Sequence, residues 1–141
     1  MPTSLTPAPR QVVERLLAAV TGRRPADAAA LYAEDAVVTH PFAPSGGPLV
    51  GRAALAAHFA AGAAVPREMR TEGVVIHQTV DPEVVVAEFT YRGRATDTGR
   101  AFEVPCVFVV RVREGLIVRS RDYAAGEAME HAREHPPSDT G

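Results

Sequence analysis

The chain changes its hydrophobic period once, near Met69, and this change constrains the fold more than any other feature. Before it, Val12, Val13, Leu16, Leu17 and Val20 recur at helical spacing, so one helix face is apolar. After it, the period is two. Residues 70–78, 83–94, 100–113 and 116–124 read as four long strands. Asp81-Pro82, Thr98-Gly99 and Glu114-Gly115 separate them, and such short turns predict antiparallel hairpins. Helices followed by a meander of strands indicate an α+β domain. The curved antiparallel sheet is expected to wrap its concave face around the N-terminal helices as a cone. A cone of this kind leaves a mostly apolar cavity with a few polar groups, the usual form of a small-molecule site.

Local signals divide the first half. Pro9 suits the first turn of a helix, where its missing N–H would be unpaired anyway. Gly22 closes that helix. Pro25 and Asp27 open a second, short helix running through Tyr32. Residues 36–40 read as a short strand, 41–51 as a Pro/Gly loop, and 52–63 as an alanine-rich helix carrying Leu55, His58 and Phe59. The expected organisation is a flexible arm over 1–8, a single domain over 9–134 ending in a helical turn from 125, and a disordered tail over 135–141.

The 141 residues suffice for one core. The net charge of −2 offers no electrostatic reason for nucleic acid or an acidic membrane. No apolar run approaches the roughly 20 residues a membrane helix requires. All fifteen basic residues are arginine, and lysine, asparagine and tryptophan are absent. That bias, with abundant alanine, reads as a GC-rich, bacterial coding sequence. One cysteine, Cys106, excludes an internal disulfide and fits a reducing cytoplasm.

Two residues stand out as carriers of chemistry. His40 ends a strand and precedes Pro41, which biases it to extended geometry. It titrates near neutrality and suits proton transfer; the plain alternative is an inert strand-capping histidine. By alternation, Asp122 shares a face with Leu116, Val118 and Ser120, and an unpaired aspartate on such a face is costly. Its plain alternative is a surface partner for a neighbouring arginine. Tyr91 shares a face with Val85, Ala87 and Phe89, opposite to Glu88, and its hydroxyl could donate to an oxyanion. His58 and His77 read as structural, and Cys106 as core. Glu127, His131 and His135 share metal-ligand spacing, but Pro136 follows at once and a solvated helix end is the expectation.

The stretch LYAEDAVVTHPFAPSGGPLVGRAAL (31–55), the Thr98-Gly99-Arg100 turn, and Gly115-Leu116-Ile117 leading to Asp122-Tyr123 together resemble the nuclear transport factor 2-like superfamily. That superfamily includes ketosteroid isomerases, SnoaL-like polyketide cyclases and limonene epoxide hydrolases. The resemblance covers roughly residues 8–125. It puts His40 where ketosteroid isomerases hold their aspartate base. Their oxyanion donors would fall at Leu16 or a neighbour and near Val107 or Phe108, so both are lost. Asp122 resembles the catalytic aspartate of limonene epoxide hydrolases. The rest of that network would fall at Val38, His40, Phe89 and Tyr91, and does not match. SnoaL-like cyclases need only an apolar cavity, an acidic base and a second proton-transfer group, and the chain departs least from that pattern.

The resemblance therefore implies a small cofactor-independent enzyme, an isomerase or cyclase acting on an apolar metabolite. Asp122 and His40 would form its acid–base pair, the aspartate favouring a protonated imidazole. The cavity wall is expected from Tyr32, Val38, Phe42, Phe59, Phe89, Tyr91, Phe108 and Ser120. A homodimer through the convex sheet face is also implied, with no metal. The alternatives are a non-catalytic small-ligand-binding module and an epoxide hydrolase with a rebuilt water site.

Overall fold

A computed structural model describes residues 6–125. The arm over 1–5, the helical turn from 126, the Glu127–His131–His135 set and the tail lie outside the described residues. Three helices, α1 (Pro9–Thr21), α2 (Pro25–Ala29) and α3 (Arg52–Ala64), lie beside one six-stranded sheet. Its strands are β1 (Tyr32–Thr39), β2 (Leu49–Val50), β3 (Arg67–Gln78), β4 (Val84–Ala95), β5 (Ala101–Arg113) and β6 (Leu116–Ala124). The sheet is curved and runs in the order β2-β1-β6-β5-β4-β3. No described helix is long and apolar enough to cross a membrane.

The meander β3 to β6 is antiparallel, as the hairpin turns predict. At the β5–β6 turn both Glu114 (φ 52°) and Gly115 (φ 78°) are left-handed. Two such residues between paired Arg113 and Leu116 give the tight hairpin whose twist matches its strands. The sheet is nonetheless mixed, because β1 pairs with β6 in parallel. Alternation does not reveal that pairing, since the residues it joins, such as Val38 and Ser120, lie 82 positions apart in the chain.

Several boundaries differ from expectation. The second helix stops at Ala29, and Tyr32 opens β1 instead of ending a helix. The Tyr32 carbonyl accepts from Arg52 Nε at 2.8 Å, tying the start of β1 to the start of α3. Gly51, at φ 93°, turns the chain into α3 while its N–H donates to the Ala36 carbonyl at 2.8 Å. These two bonds give the Gly51-Arg52 pair a physical role. The 41–51 loop also contains a 3₁₀ turn, Pro44–Gly46, and β2, which pairs with Val37 and Val38. At the end of α1 the left-handed residue is Arg23 (φ 57°), one position beyond Gly22.

Alternation holds well within the long strands. Val85, Ala87, Phe89 and Tyr91 of β4 and Val104, Cys106, Phe108, Val110 and Val112 of β5 are buried on the inner face. In β6 the pairing slips between Arg111–Arg119 and Val112–Ile117. This bulge at Val118 flips the parity. Ile117, not Leu116 or Val118, therefore shares the buried face with Ser120 and Asp122. The core lies between that face and α1, whose Val12, Val13, Leu16 and Leu17 are buried. On the outer face Glu88 meets His77, and Glu72 bridges Arg70 and Arg92.

Candidate functional site

A cavity of about 430 Å³ opens between the helices and the inner face of the sheet. That volume is of the size that holds a small metabolite. Its walls are mostly apolar, from Leu16, Val20, Ala28, Phe59, Met69 and Phe108 among others. His40, His58, Tyr32, Tyr91 and Asp122 also line it.

Asp122 projects from β6 at the inner face and is 9% exposed. Ser120, two residues earlier on the same face, donates its hydroxyl to Asp122 Oδ1. Burial pushes the carboxyl up to about 6, against the opposing effect of that hydrogen bond. At pH 7 the group is therefore largely ionised but far more basic than an ordinary aspartate. Two phenols stand nearby. Tyr32 is 1% exposed, and burial, then the Asp122 charge, holds its hydroxyl well above the ordinary value. Burial also raises Tyr91, followed by Cys106 and Asp122, while Arg67 acts in the opposite sense. Both phenols stay protonated and can only donate or accept as neutral hydroxyls. Neither donates to a partner among the described residues, and no fully buried side-chain polar atom there is left unpaired. Their hydroxyls therefore open toward the cavity.

His40, just beyond β1, faces His58 of α3 with ring centroids 5.6 Å apart. Burial lowers both imidazoles, and His40 lowers His58 further, so both are neutral at pH 7. His58 in turn stacks edge-on against Phe59, and Phe59 packs on Tyr32 at 5.8 Å. The aromatic side chains thus form a continuous chain of ring contacts along the cavity wall.

His40 and Asp122 share this cavity, but no hydrogen bond or ion pair joins them among the described residues. The expected raising of the imidazole by the aspartate is not found, since burial alone moves His40, and downward. Of the expected wall residues, Tyr32, Phe59, Tyr91 and Phe108 line the cavity. Ser120 stands behind Asp122 as its donor. Phe89 lies in the core, packed edge-on against Tyr91 and Phe108 at 4.9 and 5.0 Å. Val38 is core as well, at 1% exposure. Phe42 is not part of the wall: it is 67% exposed and packs against Tyr123, because the loop beyond Pro41 turns outward. His58, read from sequence as structural, is a lining residue. Its spacing three beyond Leu55 and one before Phe59 was the available signal. Cys106 is buried, with its thiol pushed up to about 12 by burial and then by Asp122, consistent with a core role.

Comparison with known proteins agrees with this architecture. The SnoaL-like domain profile matches residues 13–120. YesE of Bacillus subtilis is 31% identical over 98 residues, which take in 66% of this chain and 65% of YesE. The chain thus spans just under two thirds of that relative. A candidate isomerase from Bacillus subtilis superposes with a TM-score of 0.80 at 23% identity, covering 89% of this chain and 91% of the other. A candidate polyketide cyclase from Pseudomonas putida gives 0.74 at 21% identity, covering 87% and 96%. A Mycobacterium tuberculosis protein in complex with estradiol-17β-hemisuccinate gives 0.69 at 22% identity, covering 86% and 98%. At these identities the solved structures speak to the fold. With the profile spanning most of the chain, the sheet, the helices and the cavity identify this protein as a member of the SnoaL-like domain family, within the nuclear transport factor 2-like superfamily.

Proposed function

We propose that the protein is a cofactor-independent acid–base enzyme, of isomerase or cyclase type, acting on a largely apolar metabolite. The observation that carries this reading is the Asp122 carboxylate, buried on the inner face beside an apolar cavity with one hydroxyl donor. A carboxylate raised to about 6 is a competent base at neutral pH, since catalytic efficiency peaks when the pKa lies near the working pH. It would take a proton from a carbon next to a carbonyl. The Tyr32 and Tyr91 hydroxyls would donate to the oxygen on which charge develops, a role worth roughly 10²–10³-fold per donor in other enzymes. The protonated Asp122 carboxyl would return that proton at another atom of the ligand, while His40 and His58, both neutral, would hold the ligand by hydrogen bonds. His40 thus keeps a place in the chemistry without a direct bond to Asp122.

The base can be tested without the natural substrate. Base-promoted ring opening of nitrobenzisoxazole needs only a carboxylate in an apolar pocket. kcat/KM for this probe should rise about tenfold per pH unit at low pH and level off above about 6. A rate that stays flat from pH 5 to 8, or equals that of free carboxylate, overturns the catalytic reading and leaves a ligand-binding module.

A homodimer belongs to the same proposal. Its support is the outer sheet face, where Val37, Val84, Val109 and Val118 stand among Asp35, Arg111, Arg113, Arg119 and Arg121 around a shallow depression, and Val107 is 37% exposed. Sedimentation at micromolar concentration should give twice the 15.0 kDa chain mass, and a monomer there removes the proposal.

A further inference from the structure

Ser120 sits where a hydroxyl is costly. It is buried on the inner face of β6, two residues before Asp122. In the sheet it lies opposite Val110 on one side and Val38 on the other, and both valines are fully buried. A hydroxyl between two valines needs a hydrogen bond to offset its burial, and its partner is the Asp122 carboxylate. An ionised carboxylate has no proton to give, so the hydroxyl donates and Oδ1 accepts.

That bond divides the two oxygens of the carboxylate. Among the described residues no other side chain bonds to Asp122. Oδ1 is committed to Ser120, and the carboxylate lines the cavity, so Oδ2 is the oxygen left to meet a ligand. The last torsion of an aspartate is broad and soft. One fixed oxygen removes that freedom. The titratable groups that face the carboxylate from other strands do not fix it. Tyr32 of β1, Tyr91 of β4 and Cys106 of β5 all stay protonated at neutral pH. The cavity histidines, His40 and His58, are neutral there too. Arg23, Arg24 and Arg67 also line the cavity, yet the carboxyl is set by burial and then by Ser120.

We propose that Ser120 is a positioning residue for the base: its hydroxyl holds Oδ1 of Asp122, so that Oδ2 alone takes the proton from the ligand and gives it back. This rests on the reading of Asp122 as a base, and adds which oxygen reacts and what holds it. In the first step a C–H bond of the ligand breaks and an O–H bond forms on Oδ2, while the electron pair stays on the ligand as an enolate. In the second step that O–H bond breaks and the proton joins another atom of the ligand. Oδ1 keeps its bond to Ser120 throughout, so the proton on Oδ2 stays turned to the cavity.

The test is Ser120→Ala, assayed with nitrobenzisoxazole across pH 4 to 9. Loss of the donor makes the carboxyl more basic, so the acid limb should move to higher pH. A stronger base would by itself raise the plateau at high pH. A base that has lost its orientation lowers it, and the plateau in kcat/KM should fall about tenfold, mostly in kcat. Ser120→Thr keeps the hydroxyl and should regain most of the lost rate. Ser120→Cys, close in size but a weak donor, should fall as Ser120→Ala does and stands in for it if the alanine variant does not fold. A plateau unchanged or higher without the hydroxyl overturns the positioning role and leaves Asp122 as the base. A Ser120→Thr variant as slow as Ser120→Ala also overturns it, since the loss then does not follow the hydroxyl. A native protein whose rate is flat with pH overturns both readings.

Discussion

Asp122→Asn is expected to remove catalysis and, above pH 6, to make the protein more stable. The two effects have one cause. Burial holds the carboxyl at about 6 against an ordinary 3.8, so the folded state binds its proton more tightly than the unfolded state does. Because the folded value is the higher one, the stability linked to this group is fully present below about pH 4. It is lost as pH rises through about 6. The shift corresponds to about 3 kcal/mol once the group is ionised. Asparagine has nearly the same shape, can still accept from Ser120, and never carries that charge. The Tm of the variant should therefore match the native protein near pH 4 and exceed it at pH 7.5. At about 3 °C per kcal/mol for a chain of this size, the gap should approach 9 °C. Ring opening of nitrobenzisoxazole should fall by about 10²–10⁴-fold in the same variant. Other titrating groups are common to both proteins, so the difference between the two pH–Tm curves isolates Asp122. A gap that does not change with pH would show that the carboxylate is not held ionised in a dry site.

Leu55→Ala is expected to cost about 2–5 kcal/mol, the range for emptying a fully buried leucine position. Leu55 is 1% exposed and is the one buried residue of α3. The remainder of that helix is alanine-rich and rests on the fold through half-buried Phe59. Losing the leucine thus removes most of what docks the helix, and the site should feel it, because α3 carries both His58 and Phe59. Urea unfolding should show a lower midpoint at an unchanged slope. Amide exchange should rise in α3 well before it rises in β4 and β5. A loss below about 1 kcal/mol would mean that α3 is held by its ends, through Gly51 and Arg52, and not by its buried face.

Much of the wall of the site was legible from alternation. Tyr91, Phe108, Ser120 and Asp122 stand on the inner face that a period of two assigns them, because long central strands leave side chains no other choice. Alternation failed at Leu116 and Val118, where one bulge exchanges the faces, and no local signal in that stretch marks a bulge. Tyr32 was placed on the correct side of the molecule for the wrong reason. The propensity of Ala28 to Ala30 extends a helix, yet the parallel pairing with Ile117 and the bond from Arg52 draw Tyr32 into a strand. Such tertiary override is where propensity arguments are weakest. Phe42 was misplaced because an aromatic residue after His40-Pro41 reads as a wall, whereas the loop carries it out onto Tyr123.

The sequence by itself determined the class of the fold, the order of its helices and long strands and the inward position of Asp122. These follow from hydrophobic period, turn chemistry and strand parity, all of which act over a few residues. Only the tertiary structure decided the chemistry around that carboxylate. The packing of α3 brings His58 to His40, the parallel β1–β6 pairing brings Tyr32 toward Asp122, and the α1–α2 turn sets the Arg23 side chain against the Val65 carbonyl beyond the end of α3. Each of these joins residues far apart in the chain. Their energies come from burial and from charges in a dry cavity, quantities that exist only once the chain has closed around it.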